Sequence, residues 1–321
     1  MMWDTFSALP TIIFTNRKNA IPVMKSRSFI YISLGVDIIV AASKFIAAAI
    51  TGSSAMLSEG IHSGIDAFSQ ILLLWGIKTS NRQADELRPF GYGRELYFWS
   101  FIVSLVIFIL GGCISFYEGI LRFNRPGFSG SQVWNYSILA IAFLFNSFSL
   151  YTALKVFNKQ RNNLRFWQAI LQSKDPTTII ILLGDVGDLI CLFIAFLGVF
   201  LGRLLHNPLY DGVSSMIIGI ILITISWLLV RQSKSLLMGV PPNKKAIRKI
   251  IKLTEADPAV IKVKRQFSMY LAPEEVILQL NTVFKEDLDT LQITAAIRRI
   301  TKVIQLEFPR IKQLFIEPVD N

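Results

Sequence analysis

SSAMLSEGIHSGIDAFSQILLLWGIK, residues 53–78, is largely apolar and long enough to cross a bilayer, which takes about 20 residues of helix. Near its middle stand His62 and Asp66. Residues four apart share a helix face, with Cβ atoms about 5–6 Å from each other. Desolvating an imidazole and a carboxylate in hydrocarbon is costly, so such a pair turns toward the protein interior. Two readings fit: a hydrogen bond that packs one helix on another, or half of a seat for a divalent cation. Imidazole nitrogen and carboxylate oxygen both bind zinc at about 2 Å.

The rest of the chain agrees with a membrane setting. It has 321 residues, 52% hydrophobic and only 17% charged, with a mean hydropathy of +0.49. That describes an integral membrane protein with a modest soluble part and excludes an ordinary soluble enzyme. The net charge of +11 fits basic loops at one membrane face, with no nucleic-acid partner. Cys113 and Cys191 both lie in apolar runs, which argues against a disulfide framework or a cysteine metal site. In residues 1–28 the apolar piece precedes the basic cluster, the reverse of a secretory signal, and this segment reads as a cytoplasmic arm.

Six spans are expected, near Phe29–Ile50, Ser54–Ile77, Leu96–Ile120, Val133–Val156, Thr177–Leu201 and Gly212–Val230. Their connections alternate in charge. Arg17, Lys18, Lys25 and Arg27 precede the first, and Lys78, Arg82, Arg88 and Arg94 follow the second. Lys155 lies at the end of the fourth and Lys159, Arg161, Arg165 and Lys174 follow it, whereas the intervening loops carry few bases. Positive residues mark the cytoplasmic side, which puts both termini there. Residues 29–237 thus form a six-helix transmembrane domain, and 238–321 a soluble cytoplasmic one. In the latter, an amphipathic helix from Lys244 to Ala256 precedes strands Val260–Leu271 and Val276–Phe284, a helix lined by Ile293, Ile297, Ile300 and Ile304, and a strand Arg310–Glu317. That order predicts a small α+β domain with helices on one face of a sheet. It contains neither His nor Cys, so no strong soft-metal site is expected in it.

The blocks TGSSAMLSEGIHSGID (51–66), RPFGYGRELYFWSF (88–101), SKDPTT (173–178), NPLYDG (207–212) and FIEP (315–318), in this order, resemble the cation diffusion facilitators. The resemblance lies with the branch that includes an animal mitochondrial zinc transporter and bacterial relatives. It implies proton-coupled antiport of zinc, or of manganese or iron, by a homodimer with a ferredoxin-like C-terminal domain. The membrane would be a bacterial inner membrane or that of an organelle. The transported ion would be the only metal, with no cofactor. Carried over by position, His62 and Asp66 match the metal ligands of helix two, and Asp185 that of helix five. Four positions depart from the family pattern: Ile181 where relatives often have a ligand, Gly184 for an acidic residue, Asn146 for a glutamate, and Arg88 for a histidine. They leave an alternative, a transport-deficient member that serves as a dimeric scaffold or regulatory protein. A membrane hydrolase is disfavoured, because no nucleophile and base accompany His62, although a metal can activate water without them.

Asp188, three residues after Asp185, shares its helix face and is assigned to supporting contacts or a proton relay. Asp37 and Lys44 lie on one side of the first span and read as a structural ion pair or water-lined contact. Asn146 suits an interhelical hydrogen bond or a weak oxygen ligand. Gly111, Gly112, Ser115 and Gly119 form a small-residue ridge fit for close helix packing.

Overall fold

The apolar runs become long helices. The computed structural model describes residues 24–51, 54–124, 132–160, 166, 169–170, 173–207 and 209–320. The expected N-terminal arm lies outside them except for its last few residues. Helices α1 (Met24–Thr51) and α2 (Ser54–Ser80) lead into a single rod. In it α3 (Glu95–Val106) passes through a π-helical segment, Ile107–Cys113, into α4 (Ile114–Asn124). Then come α5 (Gln132–Gln160), α6 (Pro176–Leu204) and α7 (Leu209–Met238). Among the described residues, four stretches are long and apolar enough to cross a membrane: Glu95–Phe123, Leu139–Asn158, Pro176–Leu204 and Gly212–Met238. Helices α1 and α2, of 28 and 27 residues, pack along them. Exposed Tyr31, Ile39, Leu144, Phe193 and Trp227 are among the side chains that give the bundle an apolar exterior, as lipid contact requires.

Local chemistry fixes the start of α6. Asp175 precedes Pro176, whose missing N–H and preset φ suit a first helical turn. The Asp175 carboxylate accepts from Thr177 N (3.1 Å), Thr178 N (3.4 Å) and Thr178 Oγ1 (2.6 Å). That is the work of SKDPTT: it satisfies donors that a buried helix end would otherwise leave without partners. Burial pushes the Asp175 carboxyl up, against the pull of these hydrogen bonds.

The small-residue ridge locks the rod to α7. A Cβ added at Gly219 would lie 2.6 Å from Phe116 N, and one at Gly119 2.6 Å from Met216 N. Gly112 meets the Ile223 backbone in the same way, and Gly212 that of Phe123. The contacts are backbone to backbone over several turns, closer than side chains permit.

The C-terminal part has its own core. A helix α8 (Lys244–Glu255), strands β1 (Val260–Ala272) and β2 (Glu275–Phe284), a helix α9 (Thr290–Glu307) and β3 (Ile311–Pro318) follow in order. β1 pairs antiparallel with β2, and β2 pairs parallel with β3. Alternate residues of β2, among them Leu278 and Leu280, are buried against Ile247, Ile250, Ile300 and Ile304. A capping box of Asp289 and Gln292 begins α9. Arg299 donates to both oxygens of Asp257 at 3.1 and 2.9 Å, and holds that carboxyl below its usual range. The order is the expected helix–strand–strand–helix–strand.

The end of β1 docks on the bundle. Arg94 Nη2 lies 3.2 Å from Met269 Sδ, and Tyr270 N donates to Val240 O at 3.1 Å. A Cβ at Gly93 would sit 2.8 Å from Leu271 O, so this contact requires glycine. The bundle therefore has a proximal end, next to the sheet, and a distal end.

Candidate metal site

The helix-two pair keeps its expected geometry. His62 Nε2 is 3.9 Å from Asp66 Oδ2, and both side chains are about one-quarter exposed. The helix-five carboxylate that joins them is Asp188: ligand atoms of His62, Asp66 and Asp188 all lie within 4.8 Å of one another. Asp185, which the family resemblance puts in the seat, is in a different place. Its carboxylate accepts from Ser149 Oγ at 2.9 Å and is buried. Three residues of helix amount to about 4.5 Å of rise, so Asp185 lies almost a turn nearer the proximal end.

A cavity of about 110 Å³ adjoins the three residues. Lys44, Asn146, Asp188 and Cys191 line it, and Glu118 and Arg122 extend the lining along α4 toward the distal end. Asn146 thus shares the cavity with the cluster. So does Cys191, a thiol that its apolar sequence surroundings hid. The π-helical segment has a part as well: a Cβ at Gly111 would be only 3.8 Å from His62 Cε1, so the helix backbone runs close beside the imidazole. A π-turn is rare and frequently marks a functional position.

On the proximal side an apolar cluster closes the bundle. Ile30, Leu73, Val103, Phe157, Ile179 and Leu229, with their neighbours, are packed there. A cation seated at His62 would therefore face the distal end.

Asp37 and Lys44 are each tied to a different residue of α2. Gln70 Nε2 donates to Asp37, and Lys44 Nζ donates to Ser63 Oγ at 2.8 Å.

The chain matches the cation efflux transmembrane domain over residues 30–238. It belongs to the cation diffusion facilitator family. It is 33% identical over 219 residues to a Xenopus laevis protein named proton-coupled zinc antiporter SLC30A9, mitochondrial, covering 68% of this chain and 39% of that one. The human protein of the same name is 32% identical over the same shares. Metal tolerance protein C4 of Arabidopsis thaliana is 26% identical over 74% of this chain and 51% of its own. The Bacillus subtilis manganese efflux system protein MneP is 29% identical over 66% of this chain and 69% of its own. The chain thus spans about two-fifths of the length of the zinc antiporters that it matches.

As a cation diffusion facilitator the chain is a multi-pass membrane protein, and its departures from the family pattern can be placed. Arg88 forms an ion pair with Glu95 at 2.7 Å in the loop before α3, away from the cluster. Gly184 lies in α6, and a Cβ there would meet nothing within 4 Å. Ile181 is 4% exposed and belongs to the apolar proximal cluster. Seven residues, about 10.5 Å of rise, separate it from Asp188. Ile181→His should therefore add no ligand to the cluster. It should bury an unpartnered imidazole and lower the melting temperature, with zinc affinity unchanged. Zinc titration beside a thermal melt of the purified variant reads both; a tighter zinc site would bring Ile181 back toward the ligands.

Proposed function

We propose that the chain is a proton-coupled secondary transporter of a divalent cation, zinc first and manganese or iron next, seated by His62, Asp66 and Asp188. The observation that carries this reading is the one-nitrogen, two-oxygen cluster beside a distally extending cavity, above an apolar plug. Three protein ligands leave a position for water, which suits an ion that must be released. The donor set is harder than a two-histidine site and separates zinc from manganese less sharply. That agrees with relatives named for either metal.

Metal binding requires a neutral imidazole and ionised carboxylates, so loading releases protons and protonation expels the ion. Moving a dication against 100 mV costs about 4.6 kcal/mol, and each returning proton offsets about half of that. Two protons balance the electrical work. In this reading six helices span the membrane, α1 and α2 included. Both termini and a ferredoxin-like domain lie on the cytoplasmic side, two chains form the working unit, and the ion leaves the compartment that holds the C-terminal domain. The membrane is a bacterial inner membrane or that of an organelle. Asn146 and Asp37 serve as supporting or proton-carrying groups.

Flux of zinc and manganese in proteoliposomes, with an internal pH dye, tests the proposal. Metal movement with opposite proton movement supports it. No flux from folded protein leaves the scaffold reading, which rests on the four departures from the family pattern at Arg88, Asn146, Ile181 and Gly184.

A further inference from the structure

The cavity beside the histidine cluster holds a side chain of the wrong sign for a cation seat. Lys44 of α1 lines it together with His62, Asp66 and Asp188, and is only 4% exposed. Its Nζ donates to Ser63 Oγ at 2.8 Å. Ser63 directly follows His62 and stands three residues before Asp66, a spacing that puts it on the same side of α2 as that carboxylate. The ammonium is thereby tied to the stretch of helix that supplies two of the three ligands. Taking an ammonium out of water is costly unless carboxylates compensate it. Asp37, about two turns earlier in α1, is engaged by Gln70. The acids that line the cavity with Lys44 are Asp66, Asp188 and Glu118, and Arg122 follows Glu118 by one turn of α4.

Charge shows what a lysine does in this place. Glu118 and Arg122 contribute one charge of each sign, which leaves Asp66, Asp188 and Lys44 to set the balance. Two carboxylates and one ammonium give the empty seat a single net negative charge, and an arriving dication turns it into a single net positive one. Without the ammonium the same seat would pass from two negative charges to none. The cost of confining net charge away from water rises as the square of that charge. With the lysine, the empty and the loaded seat therefore carry similar costs. Without it, the empty seat is strongly disfavoured and the ion is held.

We infer that Lys44 is a tethered cation that competes with the transported metal for the charge of Asp66 and Asp188 and so sets how readily the ion is released. With the seat empty, its ammonium compensates the two carboxylates. With the seat loaded, it repels the dication across the cavity, and the ligands give up the ion faster than their donor set alone would allow. The bond to Ser63 keeps the ammonium on α2, near the ligands but outside the position that the metal takes. Lys44 binds no metal itself: an ammonium has three donors and no lone pair to offer. Its part is to trade affinity for turnover, which a transporter needs and a storage site does not. This inference rests on the seat at His62, Asp66 and Asp188 proposed above.

The test measures equilibrium binding of zinc and manganese to the full chain in lipid nanodiscs, beside zinc flux in proteoliposomes over a range of concentrations. Lys44→Met removes the charge and keeps much of the volume. It should bind either metal roughly tenfold more tightly or better, with a lower KM and a maximal flux that falls as release becomes limiting. Lys44→Gln, which retains an N–H donor for Ser63, should do the same and serves where the methionine variant fails to fold. Lys44→Arg, which keeps the charge, should restore affinity and maximal flux toward those of the wild type. A purely structural lysine predicts the opposite, a disturbed seat and weaker binding. Unchanged or weaker affinity in the folded Met and Gln variants therefore overturns the inference, and so does a tighter site whose maximal flux does not fall. His62→Ala in the Lys44 background separates the two readings: if it binds metal as the wild type does, the seat itself is overturned, whatever the Lys44 variants show.

Discussion

His62→Ala and Asp188→Asn should each bring zinc-driven proton flux in proteoliposomes to background, a fall of at least a hundredfold, with the fold intact. The first removes the nitrogen of the cluster, and the second replaces a carboxylate by an amide of the same shape. Both side chains sit beside the cavity, about one-quarter exposed for His62 and half-buried for Asp188, so neither change opens a packed core. Losing one of three ligands also costs equilibrium affinity, which zinc titration measures directly. Asp185→Asn is the informative comparison. Its carboxylate is held by Ser149 a layer below, so the variant should keep the nitrogen-coordinated ion. If Asp185→Asn removes that ion and Asp188→Asn does not, the seat belongs to Asp185.

The second large effect is on folding. Gly219→Leu is expected to lower the stability of the bundle by about 3 kcal/mol, the upper end of the usual cost of overpacking. The added Cβ would lie 2.6–2.7 Å from the Phe116 backbone, which cannot rotate away as a side chain could. Gly219→Ala should show a smaller loss of the same sign, because it adds the same first carbon without the rest. Thermal unfolding in detergent, followed by size exclusion, ranks the three proteins. Equal melting temperatures would mean that the rod and α7 stand farther apart than drawn.

Much of this architecture was legible because long apolar runs have few alternatives in lipid: backbone groups must pair within the segment. The expected spans and the helices agree in position, from Ser54–Ile77 against Ser54–Ser80 to Thr177–Leu201 against Pro176–Leu204. In the tail, Ile247, Ile250, Ile300 and Ile304 showed their buried faces through helical spacing. The choice between Asp185 and Asp188 was not legible. Three residues apart, they differ by only about 60° around the helix, and what separates them is a serine on α5 that no pattern in α6 reveals. The buried hydrogen bonds that join Asp37, Gln70, Ser33, Ser149 and Asp185 were hidden for the same reason. Ser33, Gln70 and Ser149 are ordinary polar residues until four helices bring them together. The common side of Asp37 and Lys44 was visible in their spacing, while their hydrogen bonds to Gln70 and Ser63 on α2 were not.

The wide turn at Ile107–Cys113 gives the α3–α4 rod an unusual tolerance. Its hydrogen bonds close over five residues where an α-helix closes over four, so it stores roughly one residue beyond the regular repeat. Deleting a residue there can convert the segment to plain α-helix and still leave Gly119 pointing at Met216. The same deletion in α2, which is α-helical throughout Ser54–Ser80, has no such reserve. Removed between Asp66 and Gln70, one residue turns all that follows by about 100° and carries Gln70 off the face it shares with His62. Length variation among homologous chains should therefore collect in the rod and be purged from the helix that carries the histidine.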